Sequence, residues 1–231
     1  MKVLFKYGVG VMLLTPVAVA LLSVNASGQR TVVAEIIHRM DSHSRALQTL
    51  KADVRMEKVD SLLGATDVTT GTTSYVAKSA KNPTMARLDW ISPREEHLIV
   101  KGDSYDLYVP NSGQRYVGSL KNVKGTNKVP GAALAFINMS RDQLVANYEV
   151  DYDKPVSVAG VTTWHLILTP KVKTDYKFAD LWVDANGMPI QARTTAKNND
   201  TTTILLTNIQ KNVTIKMEVF KQNAPNGIRP I

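Results

Sequence analysis

Four histidines are the residues best placed to move a proton near neutrality, and they stand apart at His38, His43, His97 and His165. His38 and His43, the nearest two, are five residues apart on a helical segment and so point to different sides. No zinc-ligand spacing, G-x-S-x-G elbow, glycine-rich phosphate loop or H-E-x-x-H pair occurs. The acids Asp103, Asp106, Asp180 and Asp184 fall at expected turns or strand ends, where carboxylates are ordinarily solvated. The chain has no cysteine, which rules out thiolate metal sites, disulfides and acylation of a cysteine at the N-terminus. These residues point away from an enzyme: no catalytic residue, metal site or cofactor is expected. A triad assembled in space from distant residues remains the alternative.

The elements that could position any chemistry begin after residue 26. Lys2 and Lys6 precede an apolar run from Val9 to Leu22, and Val24 and Ala26 stand three and one positions before Ser27. That order reads as a signal peptide over residues 1–26, with residues 27–231 as one exported, periplasmic domain. The rival is a retained anchor, but the run is shorter than a membrane span and contains Pro16. Formal charge falls from +8 to +6 when Lys2 and Lys6 leave, because the leader holds no acid. The basic residues are scattered singly, without interleaved aromatics, so no nucleic acid is expected as a partner.

"TVVAEIIHRMDSHSRALQTL" places Val33, Ile36, Ile37, Met40, Leu47 and Leu50 at helical spacing. The period then changes to two, and alternation with turn signals predicts strands from Leu50 onward, near 69–77, 86–91, 96–100, 104–109 and 114–118. Further strands follow near 148–158, 161–169, 178–184, 189–196, 202–208 and 212–220. Asn186-Gly187 marks a tight bend. Between the two groups, Ser140 and Gln143 form a capping box, with Met139 and Leu144 placed as a hydrophobic staple, so a helix is expected from about Arg141 to Asn147. The apolar "GAALAFI" before it is either a loop packed on the core or a flap.

The fold class that follows is mainly β (α+β): one curved antiparallel sheet of 11–12 strands forming a half-open barrel, covered by an N-terminal helix and a short helical lid. Alternation turns Leu88, Trp90, Leu98, Val100, Tyr105 and Leu107 to one face. It adds Trp164, Leu166, Leu168, Ile204 and Leu206 from later strands, and Val213, Ile215, Met217 and Val219 from "NVTIKMEVF". Two helical segments are too little to cover so wide a face. The sheet then either folds on itself as a sandwich or surrounds a cavity, with Leu134, Phe136 and Ile137 of the flap contributing to its lining.

The ordered set "RLDW", "GDSYDLYVP", "TWHLILTPK", "LWVDANGMPIQARTT" and "NVTIKMEVFKQNAPNGIRPI" resembles the LolA-like carriers that move lipoproteins across the periplasm. The resemblance spans nearly all of residues 27–231 and implies an incomplete barrel with a helical lid over an acyl-chain cavity. It also implies an acylated lipoprotein or lipid as ligand, an inner-membrane release complex and an outer-membrane receptor as partners, and a monomer. Family members often carry an Arg directly before the Pro that follows the second strand. Here Lys81-Asn82-Pro83 lacks it, and Arg87 lies further along.

The task suits the composition. At ~0.8 kcal/mol per methylene, a 16-carbon chain in water costs on the order of 12 kcal/mol, so it needs an adaptable apolar wall, for which thioethers such as Met217 and Met139 are apt. The function expected is a periplasmic carrier that shields acyl chains between inner and outer membranes. The alternatives are a lipid- or lipoprotein-sensing regulatory protein of the same fold that binds a protein partner, and a hydrolase with a hidden site.

Overall fold

The computed structural model describes residues 23–120, 139–225 and 228. Residues 1–22, which hold most of the expected signal peptide, and the flap residues Leu134, Phe136 and Ile137 lie outside the described residues.

Helix α1 (Ser23–Ala46) presents Ile36, Ile37 and Met40 to the sheet, the i, i+1, i+4 stripe of a helix that buries one side. Eleven strands follow: β1 (Thr49–Val59), β2 (Thr66–Val76), β3 (Met85–Ser92), β4 (Glu96–Lys101), β5 (Ser104–Val109) and β6 (Gln114–Ser119), then β7 (Tyr148–Val158), β8 (Val161–Pro170), β9 (Tyr176–Asp184), β10 (Pro189–Ala196) and β11 (Thr201–Lys211). All pair antiparallel in one curved sheet, in the order β6-β5-β4-β3-β2-β1-β11-β10-β9-β8-β7. Consecutive hairpins build both wings, and the single long-range joint is β1 with β11, where Val54 faces Leu206. β6 and β7 are the two edges, so the sheet stays an open half-barrel.

The turns follow local chemistry. Gly187 adopts φ +84°, and a Cβ there would stand 2.2 Å from the backbone of Arg39, so the β9–β10 bend both turns and lets α1 lie against it. Helix α2 (Arg141–Asn147) carries the full capping box: Gln143 N–H donates to Ser140 Oγ at 3.3 Å and Ser140 N–H to Gln143 Oε1 at 3.0 Å. Leu144 and Met139 join the cluster under α1.

The strand expected over 212–220 does not form. β11 already has β10 and β1 as neighbours, so the chain leaves the sheet at Asn212, which takes a positive φ, and crosses the opposite face as an extended strap ending in a 3-10 turn at Met217–Phe220. Its alternation serves packing instead. Val213, Ile215, Val219 and Phe220 close over Val76, Met85 and Ile99, while Met217 is 45% exposed.

Candidate functional site

Cross-strand register places Thr73, Leu88, Leu98, Leu107 and Tyr116 in one rung of the inner face. Tyr75, Ala86, Val100, Tyr105 and Gly118 form the next. Six expected site residues, Leu88, Trp90, Leu98, Val100, Tyr105 and Leu107, therefore meet on one wall. Leu88, Trp90 and Leu98 are its buried floor, whereas Val100, Tyr105 and Leu107 are only half-buried. Gly118 makes the wall's shape possible, since a Cβ at that position would sit 2.8 Å from the Tyr105 ring that lies across it. The indole N–H of Trp90 is buried with no acceptor. A buried donor left unpaired costs about 1–3 kcal/mol.

The other expected positions have different surroundings. Leu166 and Leu168 are wholly buried beneath Ile36, Ile37 and Met40 of α1, so that half of the inner face is packed core. Trp164 is half-buried at its margin, with the Arg39 guanidinium 4.6 Å over its ring. Ile204 and Leu206 occupy the centre, where a hollow of about 500 Å³ opens as β10 and β11 splay apart, floored by Met188, Ile190 and Leu206. Val213, Ile215 and Val219 sit on the opposite face, with Met217 in the same strap, and do not join the wall.

The expectation of solvated acids fails at two positions. Asp180, mid-strand in β9, is 2% exposed: its Oδ1 bonds His165 Nε2 at 2.8 Å, and its Oδ2 accepts from Arg193 Nε at 2.9 Å. Asp106, in β5, takes a bidentate bond from Arg115 at 2.9 and 2.7 Å. Burial works against its ionised form, but the bonds from Arg115 and Gln222 prevail and hold the carboxyl below its ordinary value.

The two acids share a motif visible in the chain. "HLIV" with "DLYV" (His97–Val100, Asp106–Val109) recurs as "HLIL" with "DLWV" (His165–Leu168, Asp180–Val183). The pairing recurs too: His97 faces Tyr108 as His165 faces Trp182, Leu98 faces Leu107 as Leu166 faces Leu181, and Ile99 faces Asp106 as Ile167 faces Asp180. Each His stacks on its aromatic partner, at 6.2 Å and 4.6 Å between centroids. The next strand supplies the Arg in both cases. β4–β6 and β8–β10 are thus two copies of one meander, each with an apolar inner face and a His–Asp–Arg cluster on its outer face. The repeated tetrapeptides were the available signal for these Arg-paired carboxylates.

At the foot of α1, His43 is buried with Nε2 unpartnered. Burial first, then the charge of Lys211, depresses its pKa against a smaller upward pull from Asp184. No group of three or more His, Cys, Asp or Glu side chains able to hold a metal occurs among the described residues.

The described residues build an open antiparallel half-barrel, curved round an apolar face that one helix half covers. The chain belongs to the outer membrane lipoprotein carrier protein LolA family, whose model matches residues 46–223. No curated protein sequence matches it. Among solved structures, its fold is similar to that of an uncharacterized conserved protein from Thermus thermophilus (9% identity, 87% of this chain and 98% of that one, TM-score 0.56). It is also similar to Pseudomonas aeruginosa MucB in complex with MucA (13%, 84% and 62%, 0.54) and the Mycobacterium tuberculosis lipoprotein LppX (15%, 80% and 99%, 0.51). The chain spans less than two thirds of that MucB chain. At these identities the likeness is one of fold.

Proposed function

We propose that this protein is a periplasmic, non-enzymatic carrier that shields the acyl chains of a lipoprotein or related lipid on the inner face of β3–β6. Residues 1–26 act as the export signal and residues 27–231 form the carrier. One observation carries the reading: the repeated meander is sealed in one copy and half open in the other. Leu168, Ala179 and Leu181 are wholly buried under α1, whereas their counterparts Val100, Tyr105 and Leu107 are not. An acyl chain laid on the second copy would do what α1 does on the first, and each methylene it buries is worth ~0.8 kcal/mol. The orphan Trp90 N–H at the floor suits an ester or amide carbonyl at the head of such a chain.

Membership of the carrier family supports this reading, and no helix among the described residues is long and apolar enough to cross a membrane. Native mass spectrometry of protein taken from a periplasmic extract tests it, together with release of lipoproteins from inner-membrane spheroplasts. Acylated cargo bound by the protein, and lost on Leu107→Asp, is the expected result. Ligand-free protein that releases nothing sinks it.

A further inference from the structure

The half-open wall carries a charge at one end. Glu96, the first residue of β4, pairs with Trp90 of β3 and so shares its inner face, while Glu95 and His97 on either side turn outward and bond each other at 3.1 Å. Glu96 is half-buried and has no hydrogen bond or ion pair among the described residues. Neither Arg94, exposed in the β3–β4 turn, nor Lys58, which faces Asp67 across β1 and β2, pairs with it. From β3 to β6 it is the single charged residue at the paired inner positions.

Two unsatisfied groups therefore meet where the apolar wall ends. Residues opposite each other on antiparallel strands stand about 5 Å apart, so the Glu96 carboxylate lies beside the residue whose buried indole N–H has no acceptor. Holding an unpaired carboxylate half out of water costs free energy that a cation returns.

The repeated meander shows what such a position takes. Glu96 of "EHLIV" corresponds to Trp164 of "WHLIL", each one residue before the histidine. In the sealed copy, α1 packs Ile36, Ile37 and Met40 against Leu166 and Leu168, and sets the Arg39 guanidinium 4.6 Å over the Trp164 ring. What fills that copy is an apolar stripe with a cation at its margin. An indole face and a carboxylate both attract cations. The half-open copy keeps the cation-seeking position and lacks the helix that supplies the cation.

We propose that Glu96 receives an ammonium group carried at the polar end of the acyl ligand, a few bonds from the carbonyl to which Trp90 Nε1–H donates. The inference rests on the acyl-carrier reading and adds to it the charge of the cargo's head. Such an ammonium is found in an ethanolamine lipid headgroup and in a lipopeptide with a lysine beside its acyl site. The chain's overall charge of +8 opposes a cation at long range, so a preference for one does not come from the general field.

Three probes of equal acyl length test the proposal. N-palmitoyl-ethylenediamine, N-palmitoyl-ethanolamine and N-palmitoyl-β-alanine end in an ammonium, a hydroxyl and a carboxylate behind the same amide. Displacement of a fluorescent fatty-acyl probe, below the concentration at which any of them forms micelles, reads their affinities. The ammonium probe should bind roughly three- to tenfold tighter than the hydroxyl probe. Glu96→Gln should erase that difference, and Glu96→Lys should turn the preference to the carboxylate probe. Equal affinity for the ammonium and hydroxyl probes, or a difference that survives Glu96→Gln, overturns the proposal and leaves the carrier reading standing; no probe bound overturns both. The stronger competitor between lysophosphatidylethanolamine and a palmitoylated peptide with a lysine beside its acyl site then tells a lipid headgroup from a lipopeptide. An ammonium probe displaced by neither overturns the proposal.

Discussion

Arg87 and Val219 join the two ends of the chain's long path: Nη1 of Arg87, buried on the outer face of β3, donates to the Val219 carbonyl at 2.9 Å and to that of Lys221 at 3.0 Å. Nε of the same side chain meets Asp89 at 2.6 Å. Arg87 therefore faces away from the cavity and fastens the strap, so it is no substitute for the Arg that the family places before the Pro. Replacing it with Met strands the strap carbonyls and takes one partner from the half-buried Asp89, and the expected loss is about 3 kcal/mol. Urea unfolding measures the loss, and limited proteolysis should cut first after residue 212. A variant as stable and as protease-resistant as the parent would show the strap is held by Phe220 and its neighbours alone.

The two copies of the meander should respond differently to truncation. Leu166→Ala opens a hole under α1 and should cost about 2–5 kcal/mol. Leu107→Ala, at the half-open position, should cost under about 1 kcal/mol and instead weaken binding of a fluorescent fatty-acyl probe. Equal losses of stability at both positions would mean the second copy is ordinary core.

Gly118 should be intolerant for a reason local to Tyr105. Even Ala places a methyl 2.8 Å from the ring, so the tyrosine must swing away from the wall. Gly118→Val should lower stability by about 1–3 kcal/mol and alter acyl-probe affinity, with Gly118→Val/Tyr105→Ala recovering part of the stability. A double variant no better than the single one would locate the strain in the β6 backbone.

Acid should weaken the fold through His43. Its folded pKa is depressed by burial and Lys211, so below the ordinary value near 6.5 the unfolded chain takes up a proton that the folded chain resists. The contribution is absent well above that pH and grows as a destabilisation while pH falls toward the depressed folded value. Urea midpoints at about pH 7.5 and about pH 5.5, on either side of that ordinary value, should separate more for the parent than for His43→Leu. Identical separations would remove His43 from the account.

Most of the fold was legible because the chain is built from adjacent hairpins. Short turns such as Gly102-Asp103 and Asn186-Gly187 bound segments whose alternation marks one wet and one dry face, and Ser140 with Gln143 announced α2. Alternation alone does not say whether a strand has a neighbour to pair with. Asn212 to Phe220 carry a strand's pattern but meet a sheet whose eleventh strand is already flanked on both sides. Nor does alternation show what lies over a face: Leu166 and Leu107 read alike, and only the placement of α1 distinguishes them. Asp180 looked solvated because its partners, His165 and Arg193, come from two other strands.

The pairing of β1 with β11 has a consequence in time. Leu50 finds its partner at Lys211, 161 positions later, and the strap that closes over β3 comes later still. A chain emerging N-terminus first can form its early hairpins, but the sheet has no centre until nearly the last residue has appeared. On the export proposed above, such a chain would stay threadable throughout its passage across a membrane and lock only on the far side.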